Sequence, residues 1–292
     1  PKKPPPPLTV ARVARGAVLG AATGVMLVAS LGFVGLEVAR LLLVGRKPAF
    51  LLTRMAQKGS RRRVCAWDDT LTVHAMKVAA HSGHKGSRFT VNDVALAMVA
   101  AGVRSFNDAR AANIQAAKKA PSTVIAAVPI NLRKGEELRA LRNKWGFAVV
   151  GLPLTSSSAR SVIPQVGRAM NYVKLFMEGE VSYRATLVIA MIDQKFKRLG
   201  AVIRWISSLA TARLTLCVSN VPGPAEPLHL EGCTVTNLLG FLPPPPGCRI
   251  GVALCSYAGK ITFTLSSDAA VMRNPKDLTD RIVGGLGDFA HP

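Results

Sequence analysis

Acidic residues are scarce in this chain: 16 Asp and Glu stand against 38 Lys and Arg, a formal net charge of +22. Aromatics are scarcer still, at 5%. A basic surface without interleaved rings or a recognisable motif argues against a nucleic-acid reader, so no nucleic-acid partner is expected. Cysteine is sparse too. Cys65, Cys217, Cys233, Cys248 and Cys255 are odd in number and contain no CxxC pair. That excludes an obvious disulfide framework or structural zinc site, leaves no metal expected, and suits a reducing compartment. Nowhere does a GxSxG, Walker A or HExxH pattern occur, nor an internal repeat of 20 to 50 residues. What is plentiful is apolar matter, 49% of 292 residues, which excludes disorder and supports one or two domains with a sizeable core.

The charge is uneven. Residues 1–63 hold twelve Lys and Arg against Glu37 alone, a net of +11. Between Arg15 and Glu37 lie 21 uncharged residues. As a helix rising ~1.5 Å per residue these would span about 31 Å, close to the thickness of a bilayer core. Small residues at Gly16, Gly20 and Gly24 would let a second helix approach one face. A secretory signal has a shorter apolar region and a small-residue cleavage site, a transit peptide lacks so long an uncharged run, and a buried soluble hairpin is the third alternative. The membrane-spanning reading is the one we carry forward. Four Lys and Arg flank its N-terminal side and eight lie between Arg40 and Arg63, which predicts a cytosolic C-terminal body. The basic run 58–63 is read as lying on anionic headgroups, so membrane lipid is an expected partner. Pro1 in place of Met, and the polyproline stretch 4–7, suggest a chain that begins inside something larger. The organisation is then a Pro-rich basic linker 1–15, a transmembrane helix with its flank 16–46, a basic juxtamembrane segment 47–63, and a domain 64–292.

The last part reads as mixed α/β. Helices are expected over 69–81, from Val91 to about Asn107 behind a Thr90-Val-Asn-Asp93 capping box, over 158–178 and over 181–194. The second is apolar nearly all round, as a buried helix should be. Strands are expected over 122–129, 147–154 and 213–219. Two more, 249–257 and 260–266, would flank Ala258-Gly259 as a tight hairpin. A final helix from Pro275 to about Phe289 would take Asn274 as its N-cap.

Five segments in fixed order carry a family resemblance: Val91-Asn92-Asp93-Val94, Val128-Pro129-Ile130-Asn131-Leu132-Arg133, the stretch 143–154 ending in Leu-Pro-Leu, Ser219-Asn220-Val221-Pro222-Gly223-Pro224, and Cys255-Ser256-Tyr257-Ala258-Gly259-Lys260 followed by Asp268. Together they resemble the C-terminal half of the bifunctional wax ester synthase/diacylglycerol acyltransferase family in its plant-like, membrane-spanning form. The resemblance implies a fold like that of CoA-dependent acyltransferases such as chloramphenicol acetyltransferase, with a mixed sheet backed by helices here and a tunnel between two such halves. It implies transfer of a fatty acyl group from acyl-CoA to diacylglycerol or a long-chain alcohol, with acyl-CoA as substrate and no permanently bound cofactor. The endoplasmic reticulum would be the principal location and the plasma membrane the second.

That family's catalytic motif, HHxxxDG, is absent. The histidines are His74, His81, His84, His229 and His291, none adjacent to another. His81 and His84 are read as loop residues rather than the base. Either an N-terminal acyltransferase half supplies the base, or the chain is a membrane-anchored scaffold or regulator that keeps the fold without catalysis. Expected to line the tunnel or support it structurally are Asn92, Asp93, Arg133, Ser219, Asn220, Gly223, Ser256, Tyr257 and Gly259. Asn92 and Asp93 are read as capping and architecture ahead of direct chemistry. Ser219 and Asn220 face the channel or satisfy a turn, with both readings open. Arg133, with Lys195, Lys197 and Arg198, would meet CoA phosphates or form a solvated charged face.

Overall fold

In the computed structural model of the chain, the residues described are 32, 35, 62–82, 89–114, 122–138, 143–198, 201–202, 205, 214–244 and 248–289. The expected membrane segment 16–46 lies outside them apart from Gly32 and Gly35, as does His84. Among the described residues no helix is long and apolar enough to cross a membrane.

Among the described residues the main sheet has six strands. They are β1 (Arg63–Thr72), β2 (Thr123–Asn131), β3 (Trp145–Pro153), β4 (Leu216–Pro222), β7 (Ile250–Tyr257) and β8 (Lys260–Asp268). Two short strands between β4 and β7, namely β5 (His229–Leu230) and β6 (Cys233–Thr234), pair only with each other. The order across the large sheet is β1-β8-β7-β4-β2-β3. β4 runs parallel to both β7 and β2, and the remaining neighbours are antiparallel. The α-helices described from end to end are α1 (Val73–Ser82), α2 (Val91–Ile114), α3 (Ala159–Leu175), α4 (Glu178–Lys195) and α5 (Pro275–Gly284).

Strand periodicity assigns the two faces. Val124, Ala126 and Val128 of β2, Leu216 and Val218 of β4, and Ile261, Phe263 and Leu265 of β8 all belong to the main core under the helices. Its centre is α2, whose residues 94–101 are shut off from solvent as the all-round apolar pattern predicted. The capping box is present. Asp93 Oδ2 accepts from Thr90 N and Thr90 Oγ1, both at 2.8 Å, and Thr90 Oγ1 accepts from Asp93 N at 3.2 Å. Asn274 caps α5 through Lys276 N, with Pro275 at the first helical position.

The opposite face carries a smaller cluster of Ala127, Val149, Leu214, Cys217 and Cys248, and beside it a strap of chain, 237–242. Hydroxyls at alternate positions of β8 hold that strap. Thr262 Oγ1 donates to Asn237 Oδ1 at 2.7 Å, Thr264 Oγ1 to Gly240 O at 2.5 Å, and Ser266 Oγ to Leu242 O at 2.6 Å. All three hydroxyl residues are buried, so each bond replaces hydration lost on folding.

Three expected elements change. Residues 69–72 belong to strand β1, paired with β8, and the helix starts only at Val73, where Thr72 Oγ1 accepts from Ala75 N. The expected helix 158–178 ends at Leu175, because Met177 adopts a left-handed φ of 51° and a new helix opens at Glu178. The expected terminal helix stops at Gly284, followed by a 3-10 turn at Gly287–Phe289 whose Asp288 Oδ2 accepts from Ala159 N at the start of α3.

Candidate functional site

The parallel strands β2 and β4 touch at only two register positions, Ala126 opposite Leu216 and Ala127 opposite Cys217. Beyond them Pro129 has no N–H to offer a neighbour. From there β2 stays with β3 as far as Asn131 opposite Trp145, and β4 stays with β7 as far as Pro222 opposite Ser256. The strands therefore part at their carboxyl ends, and a cleft of ≈ 490 Å³ opens between them. This is the place in an open sheet with parallel strands where ligands characteristically bind.

One wall is Pro129 to Asn131 with Arg133, the other is Ser219 to Pro222, and Asn143 to Trp145 closes the side. Asn131 Oδ1 accepts from both the backbone N–H and Nε of Arg133, at 3.0 and 3.1 Å, fixing the base of the guanidinium side chain. Lys144 Nζ pairs with Glu137 Oε2 at 2.9 Å, and that bond raises the lysine above its ordinary pKa, so it is cationic at any physiological pH. The cleft thus joins apolar surface from Ile130, Val221 and Trp145 to amides and two cations. Such a lining suits a ligand with a long apolar part and an anionic end.

The outer edge of β3 is sealed beside this cleft. Phe147 N donates to Ser182 Oγ at 2.8 Å and Val149 N to Glu178 Oε2 at 3.3 Å, so α4 supplies the acceptors that a further strand would otherwise provide.

Of the residues expected from sequence, Arg133, Ser219 and Asn220 meet in the cleft. Gly223, Ser256, Tyr257 and Gly259 form a bracket next to it. Gly223 N donates to Ser256 Oγ at 3.1 Å, and a Cβ on Gly223 would overlap Ser256 O. The Tyr257 hydroxyl donates to Val235 O at 2.7 Å and accepts from Leu228 N at 2.8 Å, pinning the excursion that carries β5 and β6. Ala258 and Gly259, with φ of 46° and 79°, make the two-residue turn. Asn92 and Asp93 lie at the start of α2 and do not line the cleft. Asp93 is buried, and its Oδ1 has no partner among the described residues. His81, read from the sequence as a loop residue, instead lies exposed in the last turn of α1, its Nδ1 2.6 Å from Lys77 O.

Sequence reasoning missed Asn131, Lys144 and Trp145 as individual cleft residues. The available signal was Pro129, a residue that cannot donate in the middle of a strand. Two buried thiols nearby are poor nucleophiles: burial pushes Cys217 up to about 11 and Cys248 up to about 12. No cluster of His, Cys, Asp and Glu suited to a metal occurs among the described residues.

Comparison with known proteins bears on this arrangement. Residues 141–288 match the family model described as the WS/DGAT C-terminal domain. A probable diacylglycerol O-acyltransferase of Mycobacterium tuberculosis is 26% identical over 176 residues, covering 60% of this chain and 37% of that protein. Wax ester synthase/diacylglycerol acyltransferase 8 of Arabidopsis thaliana is 29% identical over 144 residues, covering 47% of this chain and 28% of that one. The chain thus matches only 28–37% of the length of these relatives. Among solved structures, the wax ester synthase/diacylglycerol acyltransferase of Marinobacter aquaeolei superposes with a TM-score of 0.53 at 18% identity, over 88% of this chain and 56% of that one. A cyclization-docking bidomain of Sorangium cellulosum gives 0.54 at 13%, over 90% and 48%. The fold is that of the acyltransferase and condensation-domain group, a mixed sheet backed by helices.

Proposed function

Since the chain belongs to the wax ester synthase/diacylglycerol acyltransferase family through its WS/DGAT C-terminal domain, we propose that it is the C-terminal half of an O-acyltransferase moving a fatty acyl group from acyl-CoA to diacylglycerol or a long-chain alcohol. One observation carries the reading: the cleft at the carboxyl ends of β2 and β4 is lined by Ile130, Asn131 and Arg133 and by Ser219 to Pro222, from segments in which the family resemblance resides.

In this reading the cleft is one wall of the acyl passage. Ile130, Val221 and Trp145 bear on the acyl or acceptor chain, Ser219 and Asn220 orient the polar end, and Arg133 and Lys144 meet phosphates of CoA. Acyl-CoA is bound as substrate, with no resident cofactor. A hydroxyl is a poor nucleophile near neutral pH, and a positioned base contributes roughly 10²- to 10⁴-fold. None of the five histidines has the family motif around it. We therefore assign the base to a complementary N-terminal half, which also completes the second wall and holds thioester and hydroxyl in attack geometry. Residues 16–46 anchor the chain in the endoplasmic reticulum with the domain in the cytosol.

The test is a radiolabelled acyl-CoA assay on microsomes carrying the chain, with and without a co-expressed N-terminal half of the family. Background activity alone and ester formation on complementation support the proposal. Robust product from the chain alone, abolished by His81→Ala or His84→Ala, would reject it. Carbonate extraction with protease protection tests the anchor: release into the soluble fraction, or a protected domain, contradicts it.

A further inference from the structure

Where β2 runs out at the cleft, its last residues decide where a positive charge stands. Asn131 is the final residue of the strand, opposite Trp145. One further rung follows, Leu132 N donating to Lys144 O at 3.2 Å. Arg133 lies past that rung, and its backbone N–H takes an acceptor from a side chain instead of a strand. The acceptor is Asn131 Oδ1, two residues back, in the kind of turn that a short Asn side chain closes.

The same oxygen accepts from Arg133 Nε at 3.1 Å. A guanidinium is planar and carries its donors in a rigid fork, so holding Nε also sets the direction of the two Nη groups. Arg133 makes a further interaction as well, so its orientation is set in advance of any ligand. An arginine left to rotate would lose that freedom on binding, and one already held does not.

The surroundings suit an anion. The described lining of the cleft holds Arg133, Lys144, Asn131, Asn143, Asn220 and Ser219 among its polar residues, and no carboxylate. Glu137, the partner of Lys144, stands outside that lining. We propose that Asn131 is a positioning residue for the acyl donor: it acts through Arg133, aiming the guanidinium at a phosphate of acyl-CoA, so that preference for the CoA ester over a phosphate-free thioester depends on it. This rests on the reading of the cleft given above, in which Arg133 meets CoA phosphates.

Equilibrium dialysis of the full chain in detergent, with octanoyl-CoA and with octanoyl-pantetheine, tests the assignment, because the second ligand keeps the acyl thioester and lacks the phosphates. The wild type should bind the CoA ester about tenfold more tightly or better. Arg133→Ala should erase most of that preference. Asn131→Ala should cut it by about three- to tenfold and leave octanoyl-pantetheine binding unchanged. Since Asn131 acts through Arg133, the double variant should be no worse than Arg133→Ala alone. Asn131 is exposed, and circular dichroism checks that each variant is folded. Asn131→Asp is the second variant: it keeps an acceptor for the turn, but its charge competes with phosphate for the guanidinium, so the preference should fall there too. A preference that survives both Asn131 substitutions overturns the proposal. So do losses that add in the double variant, or a loss of equal size for both ligands in Asn131→Ala. A wild-type chain with no preference for the CoA ester would reject the reading of the cleft itself, and the proposal with it.

Discussion

Single atoms decide much of what surrounds the cleft. Gly223 is held so close to Ser256 that any side chain collides with its carbonyl oxygen. Gly223→Ala should therefore cost about 1–3 kcal/mol, read as a lowered urea midpoint with an unchanged slope. The two thiols on the sheet's other face give a pH signature. Both are held protonated by burial, Cys217 to about 11 and Cys248 to about 12, whereas in the unfolded chain they ionise near 9. Above pH 9 the native state therefore binds more protons than the unfolded one, and stability falls as pH rises from 9 towards 11 to 12. The double variant Cys217→Ala/Cys248→Ala is expected to show a shallower fall over that range, measured by denaturant midpoints at several pH values. Thiol labelling should meanwhile find the exposed Cys65 and Cys233 first.

At the scale of the element, the capping box and the strap make separable predictions. Asp93→Ala removes the acceptor of two hydrogen bonds at the start of the central helix and should cost about 1–2 kcal/mol, more than Asn92→Ala, whose side chain is half-buried. Chemical denaturation checks the order. Equal stability of both variants, with loss of acyl-CoA binding in either, would move these residues from architecture to chemistry. On the far face, Thr264→Val leaves Gly240 O without its hydroxyl donor and should cost about 1–3 kcal/mol. The same change is expected to speed proteolysis within 237–242.

These elements also show what could be read from sequence. The all-round apolar α2, the Ala258-Gly259 turn and the Asn274 cap were legible because their signals are local. Strand β1 was not: of its ten residues only Ala66 and Leu71 are buried, and Asp68 and Asp69 hide any alternation. Its strand character comes from β8, about 200 residues away. The candidate site divides the same way. Arg133, Ser219 and Asn220 were found as motif residues, but Lys144 and Trp145 line the cleft because two strands diverge, a tertiary fact without a local pattern. Tyr257, expected to line the tunnel or to support it, ties the segment after β4 to the sheet through two hydrogen bonds of its hydroxyl.

For the whole molecule, the pairing of Arg63 with Asp268 sets an order of events. During synthesis β1 emerges early, yet its only strand partner among the described residues, β8, is among the last elements made. Until then the chain carries an unpaired strand with Cys65 and Trp67 outward, and the sheet cannot close. Folding is thus held back until nearly the entire chain has left the ribosome. A stop codon just before Lys260 would leave β1 and β7 each without the strand that joins them, so nascent chains cut short there should need chaperones to stay in solution while the full-length chain does not.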